Sequence, residues 1–94
     1  MNTGTDMLES IRQRLAVLEP CRLELRDDGA AHVGHAGAGG GHFELTIVSE
    51  RFIGHSRIAR HRMVYAALGP LMQAGIHALA LATYAPAEAA AQQA

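Results

Sequence analysis

Histidine and arginine are the residue types in this chain whose number and spacing could do chemistry. Six histidines stand among 94 residues, and histidine both titrates near neutrality and readily ligates transition metals. His32, His35 and His42 fall in or beside one glycine-rich stretch, and His77 opens an Ala/Leu-rich run. Ligation needs two or more neutral imidazoles or thiolates converging on one point, and a glycine-rich loop can fold a ligand inward without side-chain clash. The local spacing H-x2-H-x6-H matches no strong zinc pattern, and Cys21 is the single cysteine. Pattern alone therefore favours solvated loop histidines over a metal site. Two readings of His77 stay open: a buried ring bonded to backbone, or a ligand, since an alanine-leucine strand gains nothing obvious from an imidazole.

Arg51, Arg57, Arg60 and Arg62, with His55 and His61, make a second constellation that holds half of the arginines within twelve residues. Guanidinium forks match phosphates and carboxylates bidentately. The run therefore suits a nucleic-acid face or an acidic protein partner, although a solvated helix face is the commonest outcome for a charge run. Catalytic patterns are missing. Ser10, Ser49 and Ser56 lie in no nucleophile-elbow context. Cys21 follows Pro20 with no CxxC, and the stretch from Gly37 to Gly41 lacks the Lys-Ser/Thr of a phosphate loop. The carboxylates are scattered, with no pair suited to general acid/base work. The expectation is a protein that is not an enzyme.

Composition narrows the class further. Eight arginines and no lysine face nine carboxylates, for a net charge of −1. That balance excludes a basic polymer coating nucleic acid through bulk charge, and the length is too short for two domains. Eighteen of the hydrophobic residues are alanine, so the core must come mainly from Leu, Ile and Val. The start MNTGTDMLES carries Asp6 and Glu9, unlike a signal peptide. The longest apolar stretch, from Ile76 to Ala82, is broken by His77 and is far shorter than a membrane span of about 20 residues. A cytoplasmic location with no membrane partner is expected, and that context keeps Cys21 reduced.

The elements that must position these residues follow from periodicity. Asp6 three before Glu9 resembles a capping box, and Leu8, Ile11, Leu15 and Leu18 recur at helical spacing until Pro20. Residues 22–27 and 43–48 alternate polar and apolar, the pattern of half-buried strands, around a long Gly/Ala/His loop over 28–41. Ser56 is a plausible cap for a helix whose apolar stripe is Ile58, Val64, Tyr65, Leu68, Leu71 and Met72, with arginines opposite. Gly69-Pro70 should divide this region into a short helix, a bend and a longer helix stopped by Gly75. Residues 76–83 read as a strand apolar on both faces, hence central or well covered, with His77 sharing a face with Leu79 and Leu81. Pro86 opens a short terminal helix through Ala91. The order α-β-β-α-α-β, with an optional final α, implies an α+β fold. A right-handed crossover then puts the helices on one face of a three-stranded mixed sheet.

Three segments carry a family resemblance: His42-Phe43, IVSERFIGHSRIARHRMVYAAL and GIHALALATYAP. Val48-Ser49, Phe52-x-Gly54, Arg60-His61-Arg62 and His77-Ala78-Leu79 stand in the spacing of the BolA family, and the chain resembles that family from about Met7 to Pro86. The resemblance implies an α-β-β-α-α-β fold similar to the class II KH domain. The expected organisation is a flexible lead over 1–5, the BolA-like domain over 6–86 and a short helix or loose tail over 87–94. BolA-like proteins pair with monothiol glutaredoxins and share a [2Fe–2S] cluster with them in iron–sulfur trafficking and iron homeostasis. The partner and its glutathione supply thiolates, and the BolA side supplies histidine. In this sequence the last-strand ligand falls on His77, and the loop ligand on His32 or on His35. The resemblance thus implies a non-enzymatic adaptor, apo when isolated, monomeric or a weak homodimer alone. Some members are described as DNA-binding transcriptional regulators, which makes DNA the alternative partner. Arg57, Arg60, His61 and Arg62 are the candidate contacts for either partner. The GxxG clamp of KH domains has no counterpart at this bend. Gly34-x-x-Gly37 and Gly37-x-x-Gly40 fit its pattern but sit in the hairpin loop without a basic residue.

Overall fold

A computed structural model describes residues 3–27 and 41–93. The elements are α1 (Thr3–Leu15), β1 (Arg22–Asp27), β2 (His42–Val48), α2 (Arg57–Leu68), α3 (Leu71–Ala74), β3 (Ala78–Tyr84) and α4 (Pro86–Gln93), with 3₁₀ turns at Ala16–Leu18 and Glu50–Phe52. The sheet order is β1-β2-β3. β1 and β2 pair antiparallel, Arg22 opposite Val48. β2 and β3 pair parallel, His42 opposite Ala78. A parallel pair needs a crossover, and α2 with α3 supplies it.

Period-two patterning decides which face of the sheet is covered. On β2, Phe43, Leu45 and Ile47 are buried while His42, Glu44 and Thr46 are half-buried. Those three apolar residues join Ile11, Leu15 and Leu18 from the first helical segment, Val64 and Leu68 from α2, and Phe52 and Ile76 in one core. The mixed sheet, with helices packed on one face, is the α+β architecture expected.

Four local expectations change. α1 begins at Thr3, inside the expected lead, so Asp6 is not its cap. The first four helical N–H groups have no intrahelical partner wherever a helix starts, so one more turn costs little once the helix has nucleated. The crossover is one helix of 12 residues followed by one of 4, the reverse of the proportions expected, because Gly69-Pro70 falls late in the segment. Ser56 does cap α2, its side chain accepting from the Ala59 N–H. Ile58 and Tyr65 are 66% and 40% exposed, so they leave the buried stripe, which Val64 and Leu68 carry. Finally, β3 is an edge strand rather than a central one. Its alanines at 78 and 80 are exposed while Leu79 and Leu81 are half-buried. Alanine tolerates water, so Ala-Leu alternation is a one-sided strand written in apolar letters.

Two polar devices fix the helical layer. Ser49 is fully buried. Its hydroxyl donates to the Leu18 carbonyl at 2.6 Å and accepts the Arg51 N–H at 3.0 Å, while its own N–H donates to the Tyr84 carbonyl. One small residue thereby ties the end of the first helical segment, the 3₁₀ turn and the end of β3. At α4, Pro86 takes the first helical position, and the Glu88 carboxylate accepts the Ala85 N–H at 3.0 Å, half of a capping box.

Ser49→Ala is predicted to cost about 1–3 kcal/mol by orphaning its buried partners. Urea denaturation measures it; a loss under about 0.5 kcal/mol, typical of a surface site, would show that the hydroxyl does not clamp these elements.

Candidate metal centre and arginine face

The site begins with a backbone constraint. Gly41 precedes β2 with φ +87, a conformation glycine adopts freely and other residues avoid. Its carbonyl accepts both the His77 N–H at 2.7 Å and the Ala78 N–H at 2.8 Å. A Cβ on Gly41 would lie 2.6 Å from the Gly75 carbonyl oxygen and 2.9 Å from the His77 Cβ, so only glycine permits this approach. The result is that His42 and His77 stand side by side, ring centroids 5.3 Å apart and planes tilted by 43°. His77 is exposed and precedes β3 rather than lying in it. That removes the buried-histidine reading, and with it the alternation that would have placed this ring beside Leu79 and Leu81.

His42 was grouped with the loop histidines in the sequence but assigned no ligand role there. Its position at the start of a strand was legible; its neighbour across a parallel pair was not, because that depends on register between segments 35 residues apart. His32 and His35, the loop candidates, lie outside the described residues. Cys21 lies at the far end of the sheet, its N–H and Sγ both directed to the Val48 carbonyl. With His42 and Val48 at opposite ends of β2, about 20 Å separates the thiol from the histidines. No group of three or more His, Cys, Asp or Glu that could hold a metal occurs among the described residues.

The arginine constellation splits in two. Arg51 is paired with Glu19, its Nε and Nη2 donating to one carboxylate oxygen at 3.1 and 2.8 Å. Arg60 is more fully committed: Nη1 and Nη2 donate to the two Glu88 oxygens at 2.6 and 3.0 Å, and Nε donates to the Phe52 carbonyl at 3.0 Å. Its side chain is 11% exposed, and its guanidinium carbon lies 6.0 Å from the centroid of the Phe52 ring, so it acts as a staple between α2, the 3₁₀ turn and α4. Arg60, one of the candidate partner contacts, thus has its guanidinium committed to Glu88 and the Phe52 carbonyl within the chain. Arg57 and Arg62 are exposed, and His61 is half-buried in a groove with Leu81, Thr83 and Tyr84. Glu88 was not legible as a partner, because a pair 28 residues apart leaves no local spacing signal.

Arg60 and the Ala85 N–H hold the Glu88 carboxyl down from 4.5 to about 2. A depressed carboxyl pKa contributes stability that is complete above the ordinary value and lost as pH falls through the folded one. The gap in thermal midpoint between the native chain and Glu88→Gln should therefore be constant above pH 4.5 and close as pH falls toward about 2. A gap unchanged over that range would mean the pair does not titrate with folding. Gly41→Ala should cost at least the roughly 1–2 kcal/mol of a left-handed L-residue and shift the imidazole resonances of His42 and His77 together. Unmoved resonances would show that Gly41 does not set the pair.

Comparison with known proteins agrees with this architecture. A family profile described as BolA-like protein matches residues 15–88. The DNA-binding transcriptional regulator BolA of Escherichia coli K12 is 40% identical over 77 residues, 81% of this chain and 72% of that protein. Protein BOLA1, chloroplastic, of Arabidopsis thaliana is 36% identical over 92 residues, 93% of this chain and 56% of that protein. The chain thus spans just over half of that relative. Among solved structures, BolA1 from Mus musculus superposes with a TM-score of 0.78 at 36% identity, covering 94% of this chain and 72% of that one. The BolA domain of SufE1 from Arabidopsis thaliana gives 0.73 at 41% identity, covering 85% and 92%. Profile, sequence relatives and backbone agree over most of the length, and the chain belongs to the BolA-like protein family.

Proposed function

We propose that this protein is a non-enzymatic adaptor that docks a monothiol glutaredoxin and contributes histidine ligation to a [2Fe–2S] cluster shared with it. The observation that carries the reading is the placement of His77. It is exposed, anchored by its own backbone N–H to the Gly41 carbonyl and set beside a second imidazole. A ligand meant to meet a group held by another protein must be accessible yet fixed, and this one is both. The described part of the chain offers imidazoles there and no thiolate, since Cys21 is remote. Thiolates would accordingly come from the partner and its glutathione. Exchange of thiolates for neutral imidazoles on one iron makes a cluster less negative and raises its potential. The exposed face of α2, with Ile58, Arg62 and Tyr65 at successive helical turns, is the docking surface, a mixture of apolar and cationic contact that suits a protein partner.

Reconstitution with a monothiol glutaredoxin, glutathione, iron and sulfide should give a coloured heterodimer. Its visible circular dichroism should differ from that of the glutaredoxin homodimer, and His77→Ala should abolish the difference. A His77→Ala complex with the same spectrum would refute the ligand assignment.

A second reading is favoured by one relative, the Escherichia coli regulator whose name states DNA binding. On this chain a DNA face would rest on Arg57 and Arg62, because Arg51 and Arg60 are engaged by Glu19 and Glu88. Removing both exposed arginines should lower the slope of log affinity against log salt by roughly 2. No measurable binding to duplex DNA at low salt removes this reading.

A further inference from the structure

We propose that His42 and His77 form a two-imidazole chelate that binds one divalent transition-metal ion in the isolated protein, with His42 as a ligand in its own right. The proposal shares His77 with the cluster reading and rests on the same site, but it needs neither the cluster nor the partner. Two imidazoles bound at about 2.0–2.1 Å to one tetrahedral ion hold their ring centres about 5 Å apart. The pair stands at 5.3 Å with tilted planes, a centroid separation that matches this spacing.

Backbone rather than side-chain packing sets this separation. His42 is the first residue of β2 in register with Ala78, and the Gly41 carbonyl fastens His77 and Ala78 from the other side. A chelate built on two anchored backbones loses less conformational freedom on binding than one assembled from a loop. His77 is exposed and His42 half-buried, so an ion has a direct path in. Among the described residues no third ligating group joins the pair, and the chelate needs only these two imidazoles, with water or an incoming thiolate able to complete a tetrahedral ion. A neutral, all-imidazole donor pair selects the zinc, nickel and copper range over calcium or magnesium, which want carboxylate oxygen.

Zinc titration of the isolated 94-residue chain, followed by calorimetry and by long-range ¹H–¹⁵N spectra of the imidazoles, tests this. The expected result is one ion per chain with the His42 and His77 ring signals shifting together. His42→Ala and His77→Ala should each weaken binding by more than the roughly 10–100-fold that loss of an outer-shell partner costs, while the double change His32→Ala/His35→Ala leaves it intact. His42→Phe keeps a ring against His77 without a ligating nitrogen and should also lose zinc, which separates ligation from folding. Zinc binding that survives in His42→Phe, that disappears in the loop double variant, or that never occurs overturns the chelate. The two readings fail separately. Zinc lost only in His77→Ala defeats the chelate and leaves the cluster assignment standing. A glutaredoxin complex whose spectrum ignores His77→Ala, in a protein whose zinc affinity needs both histidines, defeats the cluster assignment and leaves the chelate.

Discussion

The carbonyl of Gly41 accepts two N–H groups from the segment that opens β3, and the placement of the candidate site depends on that bifurcated contact. Parallel strands cannot be joined by a tight turn, so β2 and β3 must find each other after a crossover of two helices. The contact marks where the pairing starts, with His42 aligned to Ala78 and six more pairs following to Val48 and Tyr84. It requires a left-handed backbone and no Cβ at Gly41. The last of five glycines in the 34–41 run therefore has a defined role: it brings two imidazoles from distant parts of the chain together at one end of the sheet.

The opposite end of the same strand pair is closed by Ser49. Its N–H continues the ladder to Tyr84, and its hydroxyl reaches the Leu18 carbonyl and the Arg51 N–H. Arg60 then locks the layer above by holding Phe52 and Glu88 at once. Ser49, Phe52 and Arg60 all belong to motifs by which the family resemblance is read, and in this chain all three do structural work. Glu88 deepens the point: it caps α4 and pairs with Arg60 using the same oxygen. An isolated surface ion pair is worth little, but this one has a guanidinium that is nearly covered and carries two further duties. Family motifs thus divide into those that build the frame and those, His77 foremost, that the frame presents.

How much of this was legible in the sequence depends on whether the signal is local. The alternation in β1 and β2, the Ser56 cap and the helical crossover between β2 and β3 are local or follow from chain order, and the element sequence was readable throughout. The edge position of β3 was not, because alanine is counted as apolar yet sits comfortably in water. Nor was the burial of α2 legible residue by residue: Ile58 and Tyr65 look like core positions until the packing of α1 picks Val64 and Leu68 instead. Long-range pairs escaped altogether. Arg60–Glu88, Arg51–Glu19 and His42–His77 span 28, 32 and 35 residues, and no periodicity carries information over such distances. The ligand role proposed for His77 came from family resemblance, not from histidine count or spacing.

Register has a consequence for the chemistry of the site. A loop histidine must lose its freedom when it binds, and each ordered backbone residue costs about 1–2 kcal/mol. His42 and His77 have met that cost in folding, through the same hydrogen bonds that pair β2 with β3. An ion or cluster edge meeting them encounters one face already assembled. Any additional ligand from elsewhere in the chain or from a partner then adds to a preformed pair rather than creating a site from nothing. Under the proposed function this order of assembly would suit the uptake and release of a group held jointly with another protein, because two fixed, neutral donors add no charge of their own to hold it. The single cysteine of this chain lies some six strand residues away, turned to the Val48 carbonyl, and the geometry of the sheet itself keeps its thiol apart from the imidazole pair.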